Sequence, residues 1–80
     1  MIAMTEEEIQ ALNVKYEIER IKRPYDDTGT ITYEVANDAN LEMIRHDDQS
    51  GWLFRNAEGR FCYGWESGGF DDQCGEKESQ

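Results

Sequence analysis

The stretch TEEEIQALNVKYEIERI, residues 5–21, decides the fold, because its two halves ask for different structures. Thr5 followed by Glu6, Glu7 and Glu8 has the form of a capping box, in which the Thr5 hydroxyl and the Glu8 carboxylate satisfy each other's backbone N–H groups, so a helix starts here. Its length is ambiguous. Ile9, Leu12 and Tyr16 share one helical face, while Val14, Ile18 and Ile21 lie on nearly the opposite one. A single long helix would need cover on both sides, and so short a chain has little to cover them with. From Val14 onward, Val14, Tyr16 and Ile18 alternate with Lys15, Glu17 and Glu19, the period of a half-buried strand. The reading is therefore a short helix over residues 5–12, with Asn13 as a left-handed C-terminal residue that turns the chain into a first strand.

Working outward, Pro24, Tyr25, Asp26, Asp27, Thr28 and Gly29 supply the residues of a reversal. Ile31, Tyr33 and Val35 alternate with Thr32 and Glu34, which predicts a second strand over 30–36, and Asn37 to Asn40 form the next turn. Residues 41–46 read as a weaker strand, where Ile44 breaks the alternation and marks a bulge or a second apolar surface. Asp47, Asp48, Gln49, Ser50 and Gly51 reverse the chain again. Strands at 52–55 and 60–66 flank Asn56, Ala57, Glu58 and Gly59, whose final glycine suits a type I turn with a G1 bulge. In that hairpin Phe61, Tyr63 and Trp65 share one face, expected as a wall of the core, with Cys62 and Gly64 on the other. The expected class is α+β: a short N-terminal helix packed through Ile9 and Leu12 on a mostly antiparallel five-stranded meander. Residues 1–70 form one domain and residues 71–80 an acidic flexible tail.

Composition narrows the function. Eighty residues leave nothing for a second core. Ile, Leu, Val and Phe number 14, below the roughly 20% at which a charged chain is suspected of disorder, but nine aromatics each bury a large area and argue for a folded domain. Eight Lys and Arg against eighteen Asp and Glu give a net charge of −10, which disfavours direct contact with nucleic-acid phosphates or an anionic membrane and favours a basic protein partner. With no segment of roughly 18 apolar residues and no basic-then-apolar leader, the chain reads as cytoplasmic. Met4 offers a second start that would leave Met1 to Ala3 dispensable.

Catalytic, cofactor and metal sites find no support. His46 beside Asp47 and Asp48 superficially pairs a base with a carboxylate, yet adjacent strand residues point to opposite faces and no nucleophile stands in an activating setting. Neither Asp doublet has the alternating ligands of a calcium loop, Gly68 and Gly69 do not open a phosphate-binding helix, and Cys62, Cys74 and one histidine cannot complete a zinc set. The two cysteines read as free thiols in a reducing compartment, or as a pair if the tail folds back.

What stands out is the placement of acids and aromatics. Alternate reversals of a five-stranded meander share one end, so Asp26 with Asp27, Asp47 with Asp48, and Asp71 with Asp72 would converge on one edge. Doublets two strands apart would stand about 10 Å from one another, the scale of phosphate charges on DNA. Glu34, on the polar face of the sheet, adds further negative charge. Tyr25, Trp52 and Phe70 are surplus to so small a core and are expected as exposed anchors for a partner. In size, acidity and lack of catalytic motifs, the chain resembles the small phage- or mobile-element-encoded inhibitors of bacterial defence nucleases, including anti-CRISPR and DNA-mimic anti-restriction proteins. These share no common fold. The resemblance implies a stoichiometric binder, acting in the host cytoplasm, that occupies the basic nucleic-acid channel of an effector or nuclease complex. The alternative is a regulatory, antitoxin-like adaptor that binds through exposed aromatics, and an open meander also leaves edge strands for pairing with a second copy.

Overall fold

The computed structural model describes residues 2–25, 29–47, 51–65 and 69–71. Among these, helix α1 (Glu6–Lys22) and helix α2 (Thr30–Asp38) precede strands β1 (Glu42–Asp47), β2 (Gly51–Arg55), β3 (Phe61–Trp65) and β4 (Gly69–Asp71). The strands form one antiparallel sheet in the order β1-β2-β3-β4. The fold is α+β, with two helices and four strands in place of one short helix and five strands.

The capping box that starts α1 is present, Thr5 N donating to Glu8 Oε1 at 2.8 Å and Glu8 N to Thr5 Oγ1 at 3.2 Å. The helix then runs straight through the expected break at Asn13 and the expected first strand. Residues 15–22 are mostly strong helix formers. Glu19 pairs with Lys22 and Arg23 one turn on, and Arg20 and Lys22 complement the negative end of the helix dipole. Asn13 is a strap and not a cap. Its side-chain amide donates to Phe70 O at 3.1 Å and accepts from Phe70 N at 2.7 Å, as a neighbouring strand would, and so holds β4 against α1.

The expected second strand is α2. Ile31, Thr32, Val35 and Ala36 are buried, an i, i+1, i+4, i+5 pattern that fits one helical face as well as Ile31, Tyr33 and Val35 fit an alternation. Gly29 enters it with φ of +83° against the Trp52 indole, where a Cβ would overlap the ring. At the far end Asn40 takes φ of +61°, and Asn40 N and Leu41 N donate to Asn37 O and Ala36 O, a Schellman closure. The turn read at 37–40 thus ends a helix.

The C-terminal half follows its expected elements more closely. The β1 register slips between Met43 and Arg45, so Ile44 is a bulge. In the β2–β3 connection Gly59 has φ of +83°, while Asn56 Oδ1 accepts from Glu58 N and Arg60 N at 3.1 and 2.8 Å. β4 extends the sheet by a strand that the Gly-rich composition hid, and it includes Asp71; residues 72–80 lie outside the described residues. Beyond β4, Ile2 O accepts from Phe61 N and Met4 N donates to Phe61 O, both at 2.8 Å, so residues 2–4 complete that edge and bury Met4.

The core lies between the helices and one sheet face. Ile9, Leu12 and Tyr16 of α1 and Ile31, Val35 and Ala36 of α2 cluster with Trp52, Phe54, Cys62 and Phe70. Gly64 on that face leaves room for Phe54 and Thr32, whose atoms would lie 2.7 and 2.8 Å from a Cβ placed there, and Thr32 Oγ1 donates to Trp65 O at 2.6 Å. The expected sidedness of β3 is therefore reversed: Cys62 and Gly64 face the helices, and Phe61, Tyr63 and Trp65 face away. Alternation gave two faces but not which one the helices would cover.

Candidate protein-binding surface

Of the three Asp doublets expected along one acidic edge, Asp47 and Asp71 are among the described residues. Asp26, Asp27, Asp48 and Asp72 lie outside the described residues. Asp47 is exposed at the end of β1, whereas Asp71 is half-buried in β4 opposite Tyr63. These strands are the two edges of the sheet, three strand spacings or about 14 Å apart. Glu34 sits on the exposed side of α2, in the helical layer that covers the other sheet face. The convergence required Asp26 and Asp27 to join two strands; the elements on either side of them are α1 and α2.

The expected aromatic anchors divide. Tyr25, just past α1, is 95% exposed. Trp52 and Phe70, expected at the surface, are instead core residues, 7% and 5% exposed. Two helices over a short sheet leave more volume to fill than one short helix does, and the surplus rings fill it: Phe54 lies between Trp52 and Phe70 at ring-centroid distances of 6.5 and 6.1 Å.

Between α1 and α2 a groove of about 370 Å³ is lined by Lys15, Ile18, Glu19, Glu34, Val35 and Asp38. Arg23 closes one end of the pair of helices, its Nη2 donating to Glu34 Oε1 at 2.7 Å and to Glu19 Oε1 at 3.1 Å. The hydrogen bond to Glu34 leads the causes that raise the Arg23 pKa above its ordinary value, so the clamp stays charged. Arg23 reads from sequence as a partner for nearby acids, and it is one; Glu19 and Asp38 were not singled out as site residues, and the helical spacing of Ile31, Thr32, Val35 and Ala36 is the signal that would have brought them together with it. A second groove of about 350 Å³ lies between α1, residues 39–41 and the β2–β3 turn, with Glu8, Lys15 and Glu58 around Met4, Leu12 and Leu41. There Arg60 donates to both Glu8 oxygens at 3.2 and 3.4 Å. The Thr5 backbone N–H, and then Arg60, hold the Glu8 carboxyl below its ordinary pKa.

The sheet face away from the helices carries Arg45, Leu53, Tyr63 and Trp65. Arg45 Nη2 donates to the Tyr63 hydroxyl at 3.0 Å, and the Tyr63 and Trp65 rings stack at 6.0 Å. The Cys62 thiol, on the opposite face, is buried and pushed up to about 12 by that burial, then by Glu8, which keeps it protonated and poorly nucleophilic. His46 is exposed and stacks on Trp52 at 4.6 Å. Among the described residues no group of His, Cys, Asp or Glu is arranged to hold a metal ion, and no helix is long and apolar enough to cross a membrane. No protein-family model, curated protein or solved structure matches the chain.

Proposed function

We propose that this protein is a stoichiometric inhibitor that binds the basic nucleic-acid-binding surface of a bacterial defence complex. One observation carries the reading: five of the described cations are engaged by the protein's own groups, while many acids are presented outward. Arg60 pairs with Glu8, Arg23 with Glu19 and Glu34, Lys22 with Glu19, and Arg55 with Glu42, while Arg45 is engaged by Tyr63. Glu6, Glu7, Glu17, Asp38, Glu58 and Asp47 are exposed. A net charge of −10 exceeds the magnitude of about 2 to 8 that suffices for solubility, and a basic channel is the surface such a field steers toward. The mode of action is occupancy, with no cofactor, no turnover and no direct contact with nucleic acid.

The test is an electrophoretic titration of duplex DNA bound by CRISPR effector complexes and by restriction endonucleases. The expected result is loss of DNA binding at one equivalent of inhibitor, weakened by salt and abolished when Asp26, Asp27, Asp47 and Asp48 are all replaced by Lys. Inhibition that survives those reversals would show that charge mimicry is wrong.

A second reading, an adaptor that binds a regulatory protein through apolar surface, is favoured by the exposed Tyr25 ring. Its affinity would fall with Tyr25→Ala and change little with salt.

A further inference from the structure

Helix α1 has a second apolar face that nothing among the described residues covers. Ala11, Val14, Ile18 and Ile21 follow one another at spacings of three, four and three residues, with Tyr25 four further on, just past the helix. That is the spacing of a coiled-coil seam. Val14, Ile18 and Ile21 are 53, 49 and 77% exposed, on the side of the helix opposite Ile9, Leu12 and Tyr16. Soluble chains scatter single apolar residues over their surface, but three branched aliphatics in helical register are a contiguous patch.

We propose that this face is a self-association seam, on which a second copy of the chain packs its own α1 in parallel. Charge selects both occupant and direction. Lys15 and Lys22 flank the seam on one side and Glu17 on the other. In a parallel two-stranded pairing the residue just before one core layer meets the residue five positions on in the other chain, which sets Glu17 of each copy against Lys22 of the other in two symmetric ion pairs. An antiparallel pairing centred on the same stripe sets Glu17 against Glu17 and Lys15 against Lys15. Both Glu17 and Lys22 are exposed, and the Lys22 contact with Glu19 in its own chain is long, at 3.4 Å.

Area agrees with a weak dimer. Val14, Ile18 and Ile21 offer on the order of 300 Å² per copy and Tyr25, just past the helix, adds exposed area beside them, so a pair buries at most about 1,000 Å², the lower bound for a specific interface. A seam of four residues could not hold two free peptides together, because helix nucleation would oppose it, but here α1 is already formed on its own domain. The open sheet edge is the poorer contact surface: β1 is bulged at Ile44 and carries Glu42 and Arg45, devices that blunt strand addition.

The experiment is sedimentation of the full chain from about 5 µM to 1 mM in about 0.3 M salt, where repulsion between the acidic copies is screened. The mass is expected to rise from 9.3 kDa toward twice that value. Ile18→Glu is expected to remain monomeric throughout with an unchanged circular dichroism spectrum. Glu17→Lys should weaken association several-fold and the exchanged pair Glu17→Lys with Lys22→Glu should restore it. Val14→Cys, in a Cys74→Ser background, should oxidise to a covalent dimer. A chain that stays monomeric to 1 mM overturns the proposal, as does an Ile18→Glu variant that dimerises like its parent. A dimer that Val14→Cys fails to cross-link overturns the parallel arrangement and with it the proposal.

Discussion

The two faces of α1 carry nearly the same side chains and meet opposite fates. Ile9, Leu12 and Tyr16 are buried against Phe54, Cys62 and Phe70, while Val14, Ile18 and Ile21, on the other side of the same seventeen residues, stand in solvent. Hydrophobicity does not choose between them. The choice follows from what else the chain places nearby. Asn13, between the faces, grips the Phe70 backbone with both ends of its amide and so fixes which side of α1 the sheet meets. The capping box fixes where the helix begins, and Arg23 ties its far end to α2. A helix of this kind is oriented by its polar anchors and stabilised by its apolar ones.

The largest effect that can break this comparison is on the buried face. Leu12→Ala removes a side chain that α1 packs into the core, and should destabilise the domain by about 2 to 5 kcal/mol in urea unfolding. A loss below about 1 kcal/mol would mean that the two faces differ less than their exposure indicates.

Next is the strap. Asn13→Ala leaves the Phe70 N–H and C=O without their partner in a partly buried setting, at a cost of about 1 to 3 kcal/mol. It should also raise amide exchange at Phe70 ahead of exchange in β2 and β3, because β4 has only three residues and one strand neighbour. Uniform acceleration across the sheet would assign Asn13 to global stability alone.

That strap explains much of what sequence could and could not reveal. The capping box at Thr5, the bulge at Ile44 and the Asn56 to Gly59 turn were legible because each is built from neighbours a few residues apart, whose chemistry is complete in place. The residues from Val14 to Ile21 and from Ile31 to Val35 were not, because each run satisfies period two and period 3.6 at once, and contacts across the fold decide between them. Asn13 reads as a C-cap until Phe70, 57 residues away, supplies its amide with partners. Trp52 and Phe70 looked surplus only while α2 was counted as a strand. Asp47 and Asp71 were expected at one end because the chain was read as leaving the sheet after residue 66, whereas residues 69–71 form β4 and carry Asp71 to the opposite edge.

A smaller effect is at the helix start. Thr5→Ala removes the side-chain acceptor for Glu8 N and should cost about 1 kcal/mol. Acid probes the same site. The Glu8 carboxyl is held below its ordinary value, so between that value and the folded one the unfolded chain binds the proton that the folded chain refuses. Its contribution is therefore fully present above the ordinary Glu range, near pH 4.3, and is lost as pH falls through the lowered value. Glu8→Gln should flatten that part of the stability profile and leave the neutral-to-alkaline side unchanged in shape.

The smallest effect is on the exposed face, and its sign is what matters. Ile21 is 77% exposed and is a weaker helix former than alanine because its branched Cβ loses rotamers against the preceding turn. Ile21→Ala removes little burial from a single copy and gains a few tenths of a kcal/mol of helix propensity, so the monomer, measured at low micromolar concentration, should be slightly more stable than its parent. At high concentration the order should reverse, since the variant has lost part of the seam that a second copy would bury and the parent gains stability by mass action. A crossing of the two stability curves with concentration is a signature that neither core packing nor propensity alone produces. Curves that stay parallel would leave the face of Val14, Ile18 and Ile21 as solvated surface, and the contrast between the two sides of α1 would then be one of stability without a binding role.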